Sequence, residues 1–241
     1  SQMEIFNEDF LALTGTPGEH GNDSMIEFVL ASVDPEGLPT TGITRHNNTS
    51  WFNDNGAYWN EIAWDPTRYL NIYSNSAGGY LGYVPQLPAD NPGFPGSNAD
   101  RVVVLWNTIG RDSPYGPPYD QGRTVAHEVG HYMGLEHTFS GSCGTADAPG
   151  CYSSGDLICD TNPQLSSTFG CPAGATSCSG ALNPIRNYMN YTDDLCMQEF
   201  TPEQVNRIRC TLVNYRPNLY QAVDGADIFA DGFESGNTSA W

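Results

Sequence analysis

Apolar side chains recur along this chain in short bursts separated by long polar stretches, and the spacing inside each burst predicts its conformation. Met3, Phe6 and Phe10 stand three and four apart, the interval of one helix face, and the glycines between residues 15 and 21 end that pattern. Residues 26–33 are apolar and β-branched enough to predict a strand, closed by the turn-forming run Asp34-Pro-Glu-Gly-Leu-Pro. Residues 70–73 and 101–106, the latter with three consecutive valines, predict two further strands of the same sheet. Between them, residues 74–100 are rich in Gly, Pro and Asn, a composition that predicts irregular structure or a functional rim. Helical spacing returns over residues 122–133 and stops at Gly134; over residues 138–186 almost no periodicity is left. A last helix starts at Thr201-Pro202-Glu203-Gln204, with a Thr cap, Pro at the first helical position and Gln three residues after the cap. Val205, Ile208 and Leu212 give it a buried face, and residues 221–241 then change to Gly, Asp, Glu and Ser with isolated aromatics, an acidic tail.

Composition narrows the class. At 241 residues the chain makes one large domain or two closely joined lobes. It has 28 acidic residues against nine basic ones, all arginine, for a formal charge of −19, so its surface repels phosphate backbones and nucleic acid is not an expected partner. No apolar run approaches the roughly 18 residues that a membrane-spanning helix needs. The seven cysteines all lie in the second half, five of them within residues 143–178 and none in a C-x-x-C spacing. That clustering in Gly/Ser/Pro-rich surroundings predicts disulfides of an exported protein, standing in for a core the segment lacks. An odd number leaves one thiol outside the pairs, expected to be Cys210 because it falls in the last helical pattern. The chain opens on Ser1 with no initiator Met, signal peptide or propeptide in view, as a processed or excised piece would.

The chemistry concentrates in His127-Glu128-Val129-Gly130-His131-Tyr132-Met133-Gly134-Leu135-Glu136-His137, which reads H-E-x-x-H-x-x-G-x-x-H. Residues four apart share a helix face, so His127 and His131 can aim imidazole nitrogens at one ion roughly 2.0 to 2.1 Å away. Gly134 can take the positive φ that ends the helix and turns the chain back, bringing His137 up as a third ligand. Three neutral imidazoles leave a position for water, the pattern of a catalytic zinc site, and Glu128 beside the first ligand is the expected general base.

Downstream, Asn187-Tyr188-Met189-Asn190-Tyr191 resembles the tight turn, the Met turn, that in metzincin zinc endopeptidases lies beneath the metal. Further stretches are spread along most of the chain: Asn7-Glu8-Asp9-Phe10, Asp34-Pro-Glu-Gly-Leu-Pro with Arg45, Leu70-Asn-Ile-Tyr73, Gly79-Tyr80, His137-Thr-Phe139, Gly155-Asp156-Leu-Ile-Cys-Asp160-Thr161 and Asp194-Leu-Cys196-Met197. In this order, attached to the zinc motif, they resemble the metzincin zinc endopeptidases and within them the secreted pappalysin family. The resemblance implies an α/β (α+β) fold, with a twisted mixed sheet and the zinc helix in an upper lobe, about 1–137. An irregular disulfide-linked lower lobe with a C-terminal helix, about 138–220, would complete the catalytic domain 1–220, followed by the tail 221–241. It also implies a floor role for Met189, and for Tyr191 a phenol that steadies the developing oxyanion. Two departures stand out. Family members usually carry a strand before the first helix, and Asn190 stands where the family has Asp.

The activity this implies is secreted, zinc-dependent hydrolysis of internal peptide bonds of proteins or peptides. Substrate would pair with an edge strand near Val102 to Trp106 in the cleft between the lobes. A secreted binding module that keeps the zinc as architecture, and a zinc amidase for small substrates, are the competing classes. Asp156, Asp160 and Thr161 suit structural Ca²⁺, which the resemblance also implies, or simply a solvated acidic turn. Asp193 and Asp194 follow the Met turn, where an inward carboxylate would favour a basic side chain after the scissile bond, and an outward pair would be inert. The Asn-x-Ser/Thr triplets at Asn47, Asn48, Asn190 and Asn237 are read as chance, and the tail as a sorting or docking tag or a plain extension. Oligomeric state is not legible.

Overall fold

The structure, a computed structural model, describes residues 1–221, so the acidic tail assigned to residues 221–241 lies outside the described residues, Gln221 apart. Along the chain run α1 (Gln2–Phe10), α2 (Thr49–Phe52), α3 (Trp59–Ile62), β1 (Ile72–Asn75), β2 (Gly82–Tyr83), β3 (Val102–Leu105), α4 (Arg123–Tyr132) and α5 (Pro202–Tyr215). The two helices that begin at a clear cap form as their sequences dictate. Ser1 and Glu4 make a reciprocal capping box at the start of α1, and Thr201 and Gln204 do the same for α5 behind Pro202.

The three strands form one mixed sheet in the order β1-β3-β2, with β1 parallel and β2 antiparallel to β3. This corrects the expected edge: the valine strand is central. Val102, Val103 and Val104 are all fully buried because both faces of β3 are covered, which is why that strand reads as a continuous apolar run. The exposed edge on that side is the two-residue β2, whose sequence Gly-Tyr carries no strand pattern.

Residues 26–33 do not form the expected strand. Ile26 and Phe28 do turn inward onto the core while Glu27 and Val29 stay exposed, the alternation of a strand, which breaks at the exposed Leu30. Among the described residues, however, no strand lies alongside. Instead the Asn7 side-chain amide takes the place of a neighbouring backbone, accepting from the Phe28 N–H at 2.8 Å and donating to its carbonyl at 3.1 Å. The only bridge here is Val33 with Pro39, closing the turn that Asp34 organises.

One core joins α1, the sheet, α4, the 188–200 segment and α5, through Phe6, Phe10, Val104, Val129, Tyr188 and Phe200 among others. The C-terminal end of α4 is pinned from the far side. Arg216 pairs with Asp100 in a fully buried ion pair, donates Nε to the Tyr132 carbonyl at 3.3 Å and stacks on the Tyr132 ring. A helix end would otherwise leave that carbonyl orphaned. In the irregular segment, three disulfides, Cys143–Cys178, Cys151–Cys159 and Cys171–Cys196, supply the cross-links, and Cys210 is outside them, as expected.

Candidate active site

All ten residues of α4 are buried, an unusual setting for a helix with two histidines and a glutamate. Its polar face serves the site. The Nδ1 of His127 meets the Tyr188 carbonyl at 2.6 Å and the Nδ1 of His131 meets the Leu135 carbonyl at 2.7 Å. A carbonyl only accepts, so each Nδ1 carries the proton and each Nε2 presents a lone pair. Gly134, at φ +88°, ends the helix, and a Cβ there would stand 2.5 Å from Thr211 Oγ1 on α5; the chain reverses and delivers His137. The Nε2 atoms of His127 and His137 come to rest 3.1 and 3.0 Å from Nε2 of His131.

That arrangement tests what the site is for. Burial holds His131 at about 4 and His137 at about 3, and pushes His127 well below the usual range, so all three rings are neutral at pH 7. Inward lone pairs on neutral rings repel one another unless a cation sits among them. Three nitrogen donors, two of them with tautomers fixed by backbone carbonyls, at separations near the roughly 3.4 Å of a tetrahedral zinc shell fit Zn²⁺. Among the described residues it is the only cluster of three or more His, Cys, Asp or Glu groups able to share one metal ion.

Glu128 is buried at 6% exposure, and burial alone pushes its carboxyl up to about 8. Its side chain packs against the backbone of β2: a Cβ on Gly82 would lie 2.6 Å from Glu128 Cγ. The glycine lets the sheet edge and the carboxylate share one place, and no motif in the sequence marks it. Met189 is fully buried beneath α4, with its sulfur where a Cβ of Gly130 would be, 2.4 Å away. Gly130 in mid-helix therefore has a packing reason. The Tyr191 ring lies edge-on to His137 at 4.8 Å between centroids and 5.7 Å from His127, while Phe139 stacks on His137. Every residue expected at the metal is thus gathered at one place.

The remaining candidates separate. Asn190 pairs with Gln164 amide to amide, its Nδ2 donating to Gln164 Oε1 at 3.0 Å and to the Pro184 carbonyl at 3.1 Å. Asp could donate neither bond, so the departure from the family pattern is matched by Gln164. Asn190 is also fully buried, out of reach of glycosylation in the folded chain. Thr161 donates to Asp156 at 2.7 Å, whereas the Asp160 carboxylate accepts from the Glu203 N–H at the start of α5. Asp194 turns inward: its Oδ2 accepts from the N–H groups of Gln121 and Arg123 at 2.8 and 3.2 Å, capping α4, which has no side-chain cap of its own. Its Oδ1 is buried with no hydrogen-bond partner.

The family model Peptidase M43, described as pregnancy-associated plasma protein-A, matches residues 53–213, more than half the chain. The chain belongs to this family, the pappalysins. An extracellular metalloprotease of Podospora anserina is 34% identical over 229 residues, covering 90% of this chain and 75% of its own length. Extracellular metalloprotease 1 of Coccidioides posadasii is 41% identical over 215 residues, which cover 86% of this pappalysin but only 65% of that relative. Mature mirolysin of Tannerella forsythia, solved with a cleaved peptide, is 35% identical with a TM-score of 0.67 over 87% of this chain and 81% of its own. Mirolysin with a small compound gives 0.70 over 86% and 81%. The mixed sheet, metal helix and disulfide-linked segment of this pappalysin are therefore a metzincin fold.

Proposed function

We propose that this pappalysin is an extracellular zinc endopeptidase acting on protein or peptide substrates. The observation that carries the proposal is the convergence of the His127, His131 and His137 Nε2 atoms, the first two with tautomers fixed by backbone carbonyls, beside a glutamate packed under an open sheet edge. Zinc held by His127, His131 and His137 would supply a Lewis acid that polarises the scissile carbonyl and acidifies water. A cation on the three histidines would offset the burial that pushes the Glu128 carboxyl up. As a carboxylate, Glu128 takes the proton from the attacking water and passes it to the leaving amine; Tyr191, beside His127 and His137, donates its hydroxyl toward the carbonyl oxygen as negative charge develops. Substrate lies between an upper part, about 1–137, and a lower part, about 138–220, pairing its backbone with β2 rather than with the central β3. The relatives' description as extracellular, with three disulfides here, supports secretion. No helix among the described residues is long and apolar enough to cross a membrane.

Glu128→Gln tests the mechanism. It should keep zinc at full stoichiometry while lowering cleavage of an unfolded protein by about 10²-fold or more; equal activity in both forms refutes the base. Two finer claims accompany the reading. Asp194 is turned inward, the orientation tied in the sequence to a preference for Arg or Lys after the scissile bond, and cleavage-site profiling of a peptide library reads that preference directly. A cleft lined by Asp156, Thr161, Ser142 and Ser154 supports a calcium site. Calcium added to the ion-stripped, zinc-reloaded chain should raise the melting temperature, and an unchanged value discards it.

A further inference from the structure

Asp9 belongs to a stretch of α1 for which the reaction has no use, yet it is a fully buried carboxylate beside the metal helix. Its Oδ1 accepts from the Tyr188 hydroxyl at 2.8 Å and lies 3.2 Å from the Arg123 guanidinium. The Tyr188 carbonyl is the group that receives the His127 Nδ1–H at 2.6 Å. Arg123 stands four residues before His127, on the same face of α4. These contacts close a ring: Asp9 to Tyr188, Tyr188 to His127, His127 along the helix to Arg123, and Arg123 back to Asp9. Asp9 and Tyr188 are fully buried, Arg123 is 1% exposed and His127 6%.

Stability alone does not account for such a ring. A buried ion pair often contributes less than apolar side chains of like shape, and here Asp9 Oδ2 and Arg123 Nε are both buried without a hydrogen-bond partner. What the ring does fix is the position of the Tyr188 carbonyl relative to α4, and hence the tautomer and ring orientation of His127.

We propose that Asp9 and the Tyr188 hydroxyl are positioning residues for the metal centre, setting the affinity of His127 for zinc from α1. The inference rests on the zinc reading above but not on proteolysis. Its test is equilibrium competition of the zinc-loaded chain against a chromophoric chelator, with near-UV circular dichroism to verify folding. Tyr188→Phe removes one hydroxyl and should raise the zinc Kd by about tenfold, the low end for losing an outer partner of a ligand histidine. Asp9→Leu, which removes both acceptor oxygens with a larger apolar side chain, should raise it at least as much, and Asp9→Asn, which is isosteric and keeps an acceptor for the hydroxyl, should recover most of the loss. Phe10→Leu is the control: Phe10 packs on Phe28 and Phe200, outside the ring, so its loss should lower the melting temperature and leave Kd unchanged.

A folded Tyr188→Phe within about twofold of the parent Kd overturns the proposal, as does a Phe10→Leu that weakens zinc equally. Should Tyr188→Phe unfold the chain, Asp9→Leu against Asp9→Asn decides, since identical affinities of those two also overturn it; should Asp9→Leu unfold, Tyr188→Phe decides. Affinity is read without substrate. A chain that binds zinc with this dependence but cuts no peptide would sink the endopeptidase reading and leave this inference standing.

Discussion

A hydrogen atom in place of a methyl at residue 82 decides how closely the sheet edge approaches Glu128. In Gly82→Ala the new Cβ would fall 2.6 Å from Glu128 Cγ, so the carboxylate must move. That variant should lose about tenfold or more in kcat/KM while its melting temperature changes little, because β2 is a two-residue edge; peptide hydrolysis and calorimetry together check this. Gly134 has a different reason. Its φ of +88° is strained for any side chain and Thr211 Oγ1 closes the space, so Gly134→Ala should cost about 1–3 kcal/mol in urea unfolding, and adding Thr211→Ala should recover only the steric share. The turn at Gly134 is visible in the motif. The approach of Gly82 is not, because nothing local records which side chain lies under an edge-strand glycine.

Among the helices, α1 and α5 announce their own beginnings, whereas α4 starts on Gly122 and borrows its cap from Asp194, 71 residues away from Arg123. Asp194→Ala should destabilise the chain by about 1–2 kcal/mol in urea, and Asp194→Asn by less, since an amide oxygen still accepts. If α4 frays with it, zinc affinity falls as well. The strand expected over residues 26–33 shows the reverse error. Its alternation is real, with Ile26 and Phe28 inward, but a strand needs a neighbour, and the Asn7 amide occupies that place. Likewise three consecutive valines mark a strand without saying that two others flank it.

The folded chain as a unit carries −19 formal charges and several carboxyls that burial disfavours as anions. Burial pushes Asp9 up to about 7 and Asp156 and Asp194 up to about 6, against 3.8 for an exposed Asp. Over that window the native chain binds more protons than the unfolded one, so stability falls as pH rises through about 6 to 7. The three neutral histidines oppose this below about 6.5, where the unfolded chain begins to protonate them. Urea midpoints should therefore peak slightly acid of neutrality and decline toward pH 8, and added salt should lessen that decline by screening the net charge.

How much of this pappalysin could be read from its letters follows from the range of each interaction. The spacing of the three histidines, the glutamate beside the first, the cap of α5 and the cysteine cluster are set within a few residues, by helical periodicity and side-chain chemistry, and the string of residues carries them in full. Which strand forms the open edge, which carboxylate caps α4, why Asn190 stands in the Met turn, and how Asp9 reaches His127 depend on residues tens to nearly two hundred positions apart. Those contacts exist only once the core has closed around β3 and α4, because burial alone makes a distant acceptor or a missing Cβ decisive.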